Sequence, residues 1–313
     1  MSYYCLTCNK KLKISETKKN LCPCGKIQIK NDIDHQKSIF KITEKVFKKK
    51  SKKEKFVYGK TLIPLSIPTY SKEEAFESIQ SLLSTYVTYG SKVNEFEKLW
   101  SKYSDIKHST LVTSGSTANS LALSVLTDKS LKKRINPGDE VITPALTFAT
   151  TVYPILDINA VPVLVDIDLK TLNIDENLIE KAITKKTKAI MPVHLLGNPC
   201  KIDKIKKIAR KHNLYLIEDT ADSSGAEYKG KKLGSWGDFS TFSFFFTHIM
   251  STIEGGMIST NNPILAELAK SKRSFGWIRD LKNKKKYEIK YKNIDPRFLF
   301  ISRGFNFKPT EIQ

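Results

Sequence analysis

His248 stands on a polar turn, Thr247-His248, which is followed by Ser251-Thr252 and Glu254-Gly255-Gly256. Apolar runs flank it: Phe239, Phe242, Phe244 and Phe246 before the turn, and a second run continued by Ile258 after it. Bulky residues of this kind predict two short strands. An ionisable side chain on a turn between buried strands is well placed to move protons, and imidazole does so near neutral pH. A merely hydrogen-bonded histidine at a strand end has the same signature. A second run, Ser114-Gly115-Ser116-Thr117-Ala118-Asn119, lies between strand-like Thr110-Leu111-Val112 and helical Leu121 to Leu126. A strand, a small-residue turn and a helix start form an anion cradle, with backbone N–H groups and the helix dipole aimed at a phosphate. Small residues also open many ordinary helices. A third group is Cys5-x-x-Cys8 with Cys22-x-Cys24. Four thiolates in two close pairs fit a tetrahedral metal, zinc ahead of an iron–sulfur cluster. Free cysteines in a tail are the alternative.

The elements that must position these groups follow from the pattern. Residues 1–30 read as a small zinc-ribbon-like unit, too short to bury a core without a metal. Residues 31–60 read as a basic, Lys-rich, partly helical linker, and residues 61–313 as the main domain. Within that domain Ser71 and Glu74 resemble a capping box before a helix carrying Ala75, Ile79, Leu82 and Leu83. Val93, Phe96 and Leu99-Trp100 mark a second amphipathic helix. Asn136-Pro137-Gly138-Asp139 is a turn into the strand Glu140 to Pro144. Further strands are predicted at Val161 to Val165, Ala189 to Val193 and Leu214 to Ile217, with a helix from Ile202 to Lys211 between the last two. Strands alternating with helices predict an α/β fold with a mostly parallel sheet. Ligands of such sheets sit beyond the strands' carboxyl ends, where Phe148, His194 and Asp219 fall.

Composition narrows the class. The chain carries 53 basic and 32 acidic residues in 313, a net charge of +21. The basic residues are mostly lysines spread along the chain, and the run Lys48-Lys49-Lys50 with Lys52-Lys53 lacks interleaved aromatics. A solvated face is the expectation, and nucleic acid is not the expected partner. A phosphate-bearing substrate suits the same charge. No run approaches a membrane span, and MSYYCLTC is no signal peptide, so a cytoplasmic location is expected.

Residues from about 60 to 313 resemble the DegT/DnrJ/EryC1/StrS group of pyridoxal-phosphate enzymes that act on nucleotide-linked keto sugars. The matching segments are Ser114 to Ala118, Pro144 to Phe148, His194 to Asn198, Glu218-Asp219, Ser243-Phe244, Glu254-Gly255-Gly256 and Gly304-Phe305-Asn306. The resemblance implies the aspartate-aminotransferase (type I) fold and a homodimer with its active sites at the interface. It implies that Asp219 pairs with the pyridinium nitrogen of pyridoxal 5'-phosphate, that Phe148 stacks on the ring, and that Gly115, Ser116 and Ser243 bind the phosphate. Asn306 would reach the neighbouring subunit's phosphate.

Aminotransferases of the group carry a lysine after the Ser-Phe strand, which bonds the cofactor covalently. Here that position is His248, and no lysine lies between Lys232 and Lys270. Histidine there resembles the sugar 3-dehydratases, as does Asp222 where aminotransferases have Gln, and Asn198-Pro199-Cys200. The branch implies a pyridoxamine-phosphate reaction that removes the C3 hydroxyl of a 4-keto-6-deoxy sugar, with His248 as the acid–base group and an amino donor such as glutamate. The CDP-sugar dehydratases have a cysteine cluster after the segment matching Gly276 to Lys282, and none follows here. The chain is therefore most similar to the colitose-type GDP-4-keto-6-deoxymannose 3-dehydratase branch, with a nucleotide-sugar aminotransferase as the alternative. The family continues beyond Thr310-Glu311-Ile312-Gln313 into a small domain, so the chain is expected to be truncated.

Overall fold

The computed structural model describes residues 3–4, 11–12, 30–50, 56–64, 66–67, 70–279 and 281–313. They divide into two units. The first comprises residues 1–64 and 70–84 and holds the antiparallel pair β1 (Tyr3–Tyr4) and β2 (Lys11–Leu12), with helices α1 (Lys30–Lys50) and α2 (Lys72–Leu83). The expected linker thus carries a 21-residue helix, and the division does not fall at residue 61. Phe40 meets Phe76 edge-on at 5.0 Å, so α1 and α2 pack together. Ser71 and Glu74 form the capping box that starts α2. Cys5, Cys8, Cys22 and Cys24 lie outside the described residues.

The second unit is built on a seven-stranded sheet. Its strands are β3 (His108–Val112), β4 (Glu140–Pro144), β5 (Val161–Val165), β6 (Thr187–Ile190), β7 (Tyr215–Asp219), β10 (Phe239–Ser243) and β11 (Gly256–Thr260); a separate hairpin joins β8 (Glu227–Tyr228) to β9 (Lys231–Lys232). The order is β3-β11-β10-β7-β6-β4-β5. All neighbours from β10 to β5 are parallel, and β11 is antiparallel to both β10 and β3. Six strands therefore end at one edge, and β11 begins there. The helices are α3 (Ser91–Ser104), α4 (Gly115–Leu126), α5 (Ala149–Asp157), α6 (Glu176–Ala182), α7 (Ile202–Lys211), α8 (Pro263–Arg273) and α9 (Lys284–Lys290).

The period of two in β10 sorts its side chains between layers. Phe239 joins the core of α4 and α8, with Leu121, Leu265 and Ile217. Phe242 faces the other way, edge-on to Trp100 of α3 at 4.9 Å, and Phe244 beyond the strand meets the same indole. Two expectations shift. Phe246 is half-exposed in a turn, not in the strand, because the β10–β11 ladder ends at Ser243 opposite Gly256. β6 stops at Ile190, since Pro192 has no N–H to donate, and Val193 returns only as an isolated bridge to Asp219.

Candidate active site

At the edge where the strands end lies a pocket of about 410 Å³, reached from β3, β4, β7, β10 and the start of β11. Gly115, Ser116, Phe148, Asp219, Asp222, Ser243 and His248 all line it, with Asn119, Thr151 and Glu254. Among the described residues no lysine does.

Its floor is Asp219. The carboxylate is buried, and burial pushes its pKa up, helped by the nearby charge of Asp222. Hydrogen bonds oppose this: Oδ2 accepts from Asn119 Nδ2 and from Thr151 Oγ1, each at 3.0 Å, and Oδ1 accepts from the Ala221 N–H at 3.2 Å. Thr241 Oγ1 donates to Asn119 Oδ1 at 2.6 Å, so β10 fixes which way the amide faces. Thr151 was not singled out in the sequence, and Asn119 only closed the small-residue run, with no role given to it. The signal available was a buried amide among Ala118, Leu121 and Ala122 on an otherwise apolar helix face.

Strand β7 is held from behind. Glu218 is fully buried and accepts the N–H groups of Gly234 at 2.9 Å, Trp236 at 2.7 Å and Gly237 at 2.6 Å. His194 lies outside the pocket. Its Nδ1 accepts from the Cys200 N–H at 3.0 Å, which leaves Nε2 to carry the proton toward Glu218 at 3.3 Å. This histidine fixes backbone, as the fully satisfied ring shows.

At the start of α4, the Ser114 hydroxyl accepts from the Thr117 N–H, and Thr117 Oγ1 accepts from the Ser114 N–H at 3.0 Å. A Cβ at Gly115 would lie 2.6 Å from Ser243 Cβ, and one at Gly256 would lie 2.1 Å from the Ser114 carbonyl oxygen. The helix start and the end of β10 meet through small residues only, which leaves backbone N–H groups accessible to an anion.

His248 sits above this floor, partly exposed, with Nε2 3.5 Å from Asp222 Oδ1. Its Nδ1 is buried and makes no hydrogen bond among the described residues. The chain returns from Phe244 to Gly255 with the Phe244 N–H donating to the Gly255 carbonyl at 2.9 Å, so both feet of the turn are fixed. Phe148 is exposed, its ring flanking the pocket. Asn306 does not line the pocket; it forms an isolated bridge with Ser274.

These residues fit pyridoxal phosphate. A buried carboxylate held above its ordinary pKa suits a protonated ring nitrogen. The cradle of small residues suits a phosphate, and Phe148 suits a flat ring. No group of three or more potential metal ligands occurs among the described residues.

The DegT/DnrJ/EryC1/StrS aminotransferase family profile matches residues 68–313. The chain is 40% identical over 255 residues to GDP-4-keto-6-deoxy-D-mannose 3-dehydratase of Yersinia pseudotuberculosis, covering 80% of this chain and 64% of that protein. Among solved structures, GDP-4-keto-6-deoxymannose-3-dehydratase with a trapped PLP-glutamate geminal diamine is similar with a TM-score of 0.73 at 34% identity, over 80% of this chain and 65% of that one. An aminotransferase from Psychrobacter cryohalolentis gives 0.69 at 35% identity, over 80% and 61%. The chain spans less than two thirds of the length of the curated relatives it matches first.

Proposed function

The chain belongs to the DegT/DnrJ/EryC1/StrS aminotransferase family, and on that premise we propose that it is a sugar 3-dehydratase using pyridoxal or pyridoxamine phosphate. Its substrate is a nucleotide-linked 4-keto-6-deoxy sugar, with the GDP-linked mannose derivative named by the relatives as the first to try. The observation that carries the reading is His248 lining a lysine-free pocket together with Asp219. Overall identity does not decide it, because dehydratase and aminotransferase structures are matched at 34% and 35%.

When bound, the cofactor supplies an electron-withdrawing ring and a carbon from which a proton can be taken. Asp219 keeps the ring nitrogen protonated by its buried negative charge. Gly115, Ser116 and Ser243 hold the phosphate and Phe148 covers the ring. His248 takes a proton through one ring nitrogen and returns it toward the departing C3 hydroxyl, while Asp222, 3.5 Å from Nε2, orients the ring. Replacing the C3 hydroxyl by hydrogen needs two electrons. An amino donor such as glutamate provides them as it becomes the 2-oxo acid, its nitrogen leaving as ammonia.

The second reading, transamination, keeps the nitrogen on the sugar and is favoured by the family's other members. Incubation with the keto sugar, glutamate and cofactor separates the two. Ammonia release with a C3-deoxygenated product supports dehydration. An amino sugar without free ammonia, or borohydride trapping of the cofactor on a lysine, overturns it. His248→Asn should keep cofactor binding and lose turnover about 10²–10⁴-fold, the usual worth of a general acid–base group.

The homodimer rests on the same premise, whereas the zinc unit rests on cysteine spacing alone. Residues 61–313 are the cofactor-binding domain of a cytoplasmic homodimer in which Asn306 serves the neighbouring site. Exposed Leu196, at 77%, and Ile249, at 59%, would give the second copy an apolar face. No described helix is long and apolar enough to cross a membrane. Residues 1–30 bind structural zinc through Cys5, Cys8, Cys22 and Cys24; metal analysis should give one zinc per chain, lost in Cys5→Ser with Cys8→Ser.

A further inference from the structure

A second cleft, of about 530 Å³, opens at the other end of the β3–β11 pair. These strands pair from Val112 opposite Gly256 to His108 opposite Thr260. Val112 leads into the Ser114 turn of the first pocket, whereas His108 lines the second, and the two pockets share no residue. A strand of this length spans about 13 Å, so the clefts are separate sites.

The second cleft has an apolar floor and a cationic rim. Leu281 and Ile301 belong to a small core with Ile278 and Leu299, and Leu268 of α8 lies beside them. Around them stand Lys270, Lys282, Lys286 and His108. The carboxylate that lines it among the described residues, Glu267, accepts the backbone N–H of Lys282 at 3.0 Å. Among the described residues none of the three ammonium groups makes a hydrogen bond or ion pair, nor does the His108 imidazole. Burial first, then the charges of Lys282, Lys270 and Lys107, hold His108 below its ordinary pKa. The field that keeps a proton off that ring attracts an anion.

We propose that this cleft binds a phosphorylated small molecule of nucleotide size, with its phosphate on Lys270, Lys282 and Lys286 and its ring on the floor beside Leu281 and Tyr287. The volume falls within the usual range for such ligands, roughly 300–1,000 Å³. A free nucleotide and a nucleotide-linked sugar offer the same chemistry. The site does not depend on the reaction assigned to His248.

Isothermal titration of the cofactor-loaded full chain with GDP, and separately with GDP-mannose, tests this against Lys282→Glu/Lys286→Glu. Both side chains are exposed, and circular dichroism checks the fold. The wild type should show a salt-sensitive binding event that the double variant loses by at least tenfold, whether or not the first pocket also binds. Loss with GDP identifies a free-nucleotide site, and loss with GDP-mannose alone identifies a nucleotide-sugar site. Equal stoichiometry and affinity in the two proteins overturns the proposal. The milder Lys282→Gln/Lys286→Gln should weaken the same event with turnover unchanged; if it leaves the event intact, the lysines do not form the site.

Discussion

The carboxyl of Asp219 is buried at the pocket floor, and burial outweighs the three hydrogen bonds that hold its pKa down. In the unfolded chain an aspartate titrates near 3.9. Because the folded value is raised, the folded state binds this proton more tightly. The penalty is absent below about pH 4, grows as pH rises through the folded value, and is constant above it. Cofactor-free wild type should therefore lose stability relative to Asp219→Asn as pH is taken from about 4 to 8, measured by urea unfolding. A gap that does not change with pH would show that the charge is already compensated. His248 poses the complementary question, since its Nδ1 is buried without a partner and its Nε2 faces Asp222. Asp222→Asn removes the charge and keeps the shape. It should lower turnover about tenfold, because the His248 ring loses the partner that orients it. Unchanged turnover would assign Asp222 to packing.

At the scale of elements, the loop from Gly234 to Gly237 is tied to β7 by Glu218 through three backbone N–H groups. Glu218→Gln would turn an amide donor toward donors already in place. Leaving one buried N–H unpaired costs about 1–3 kcal/mol, so the variant should unfold about 3 kcal/mol more easily. Gly115→Ala should cost about 1–3 kcal/mol and weaken cofactor binding, because its Cβ would press on Ser243 at 2.6 Å. Both effects are read by thermal unfolding with and without cofactor. The strands Glu140 to Pro144 and Val161 to Val165 and the helix Ile202 to Lys211 were legible because each has a period or an apolar run bounded by turn residues. Phe246 was misplaced because aromatic propensity says nothing of where the partner strand ends. The support of Asp219 was not legible, since Asn119 is 100 positions away and Thr151 is 68 away. Only the folded sheet brings them together. The pocket's motif residues were legible through family likeness, and His248 was legible as an ionisable group on a turn.

For the whole molecule, the net charge of +21 was read as solvated lysine with an affinity for phosphate-bearing ligands. The second cleft shows that part of this charge is gathered, with Lys270, Lys282 and Lys286 on one rim. Association is the other property at this scale. If Leu196 and Ile249 meet a second copy, Leu196→Glu with Ile249→Glu should convert a dimer into monomers in sedimentation equilibrium and abolish activity together. Monomers in the wild type, or dimers in the variant, would move the interface elsewhere.

Strand β11 runs against its neighbours, so the segment bearing His248 leaves the sheet and comes back at one and the same rim. It behaves as a bracket bolted at both feet, and those feet touch the other parts of the pocket: Ser243 packs on Gly115, and Thr241 fixes the Asn119 amide that holds Asp219. Whatever side chain crowns that bracket can be exchanged without rerouting any backbone. The side chain at position 248 and its neighbour Asp222 are thus set apart from the backbone that carries them.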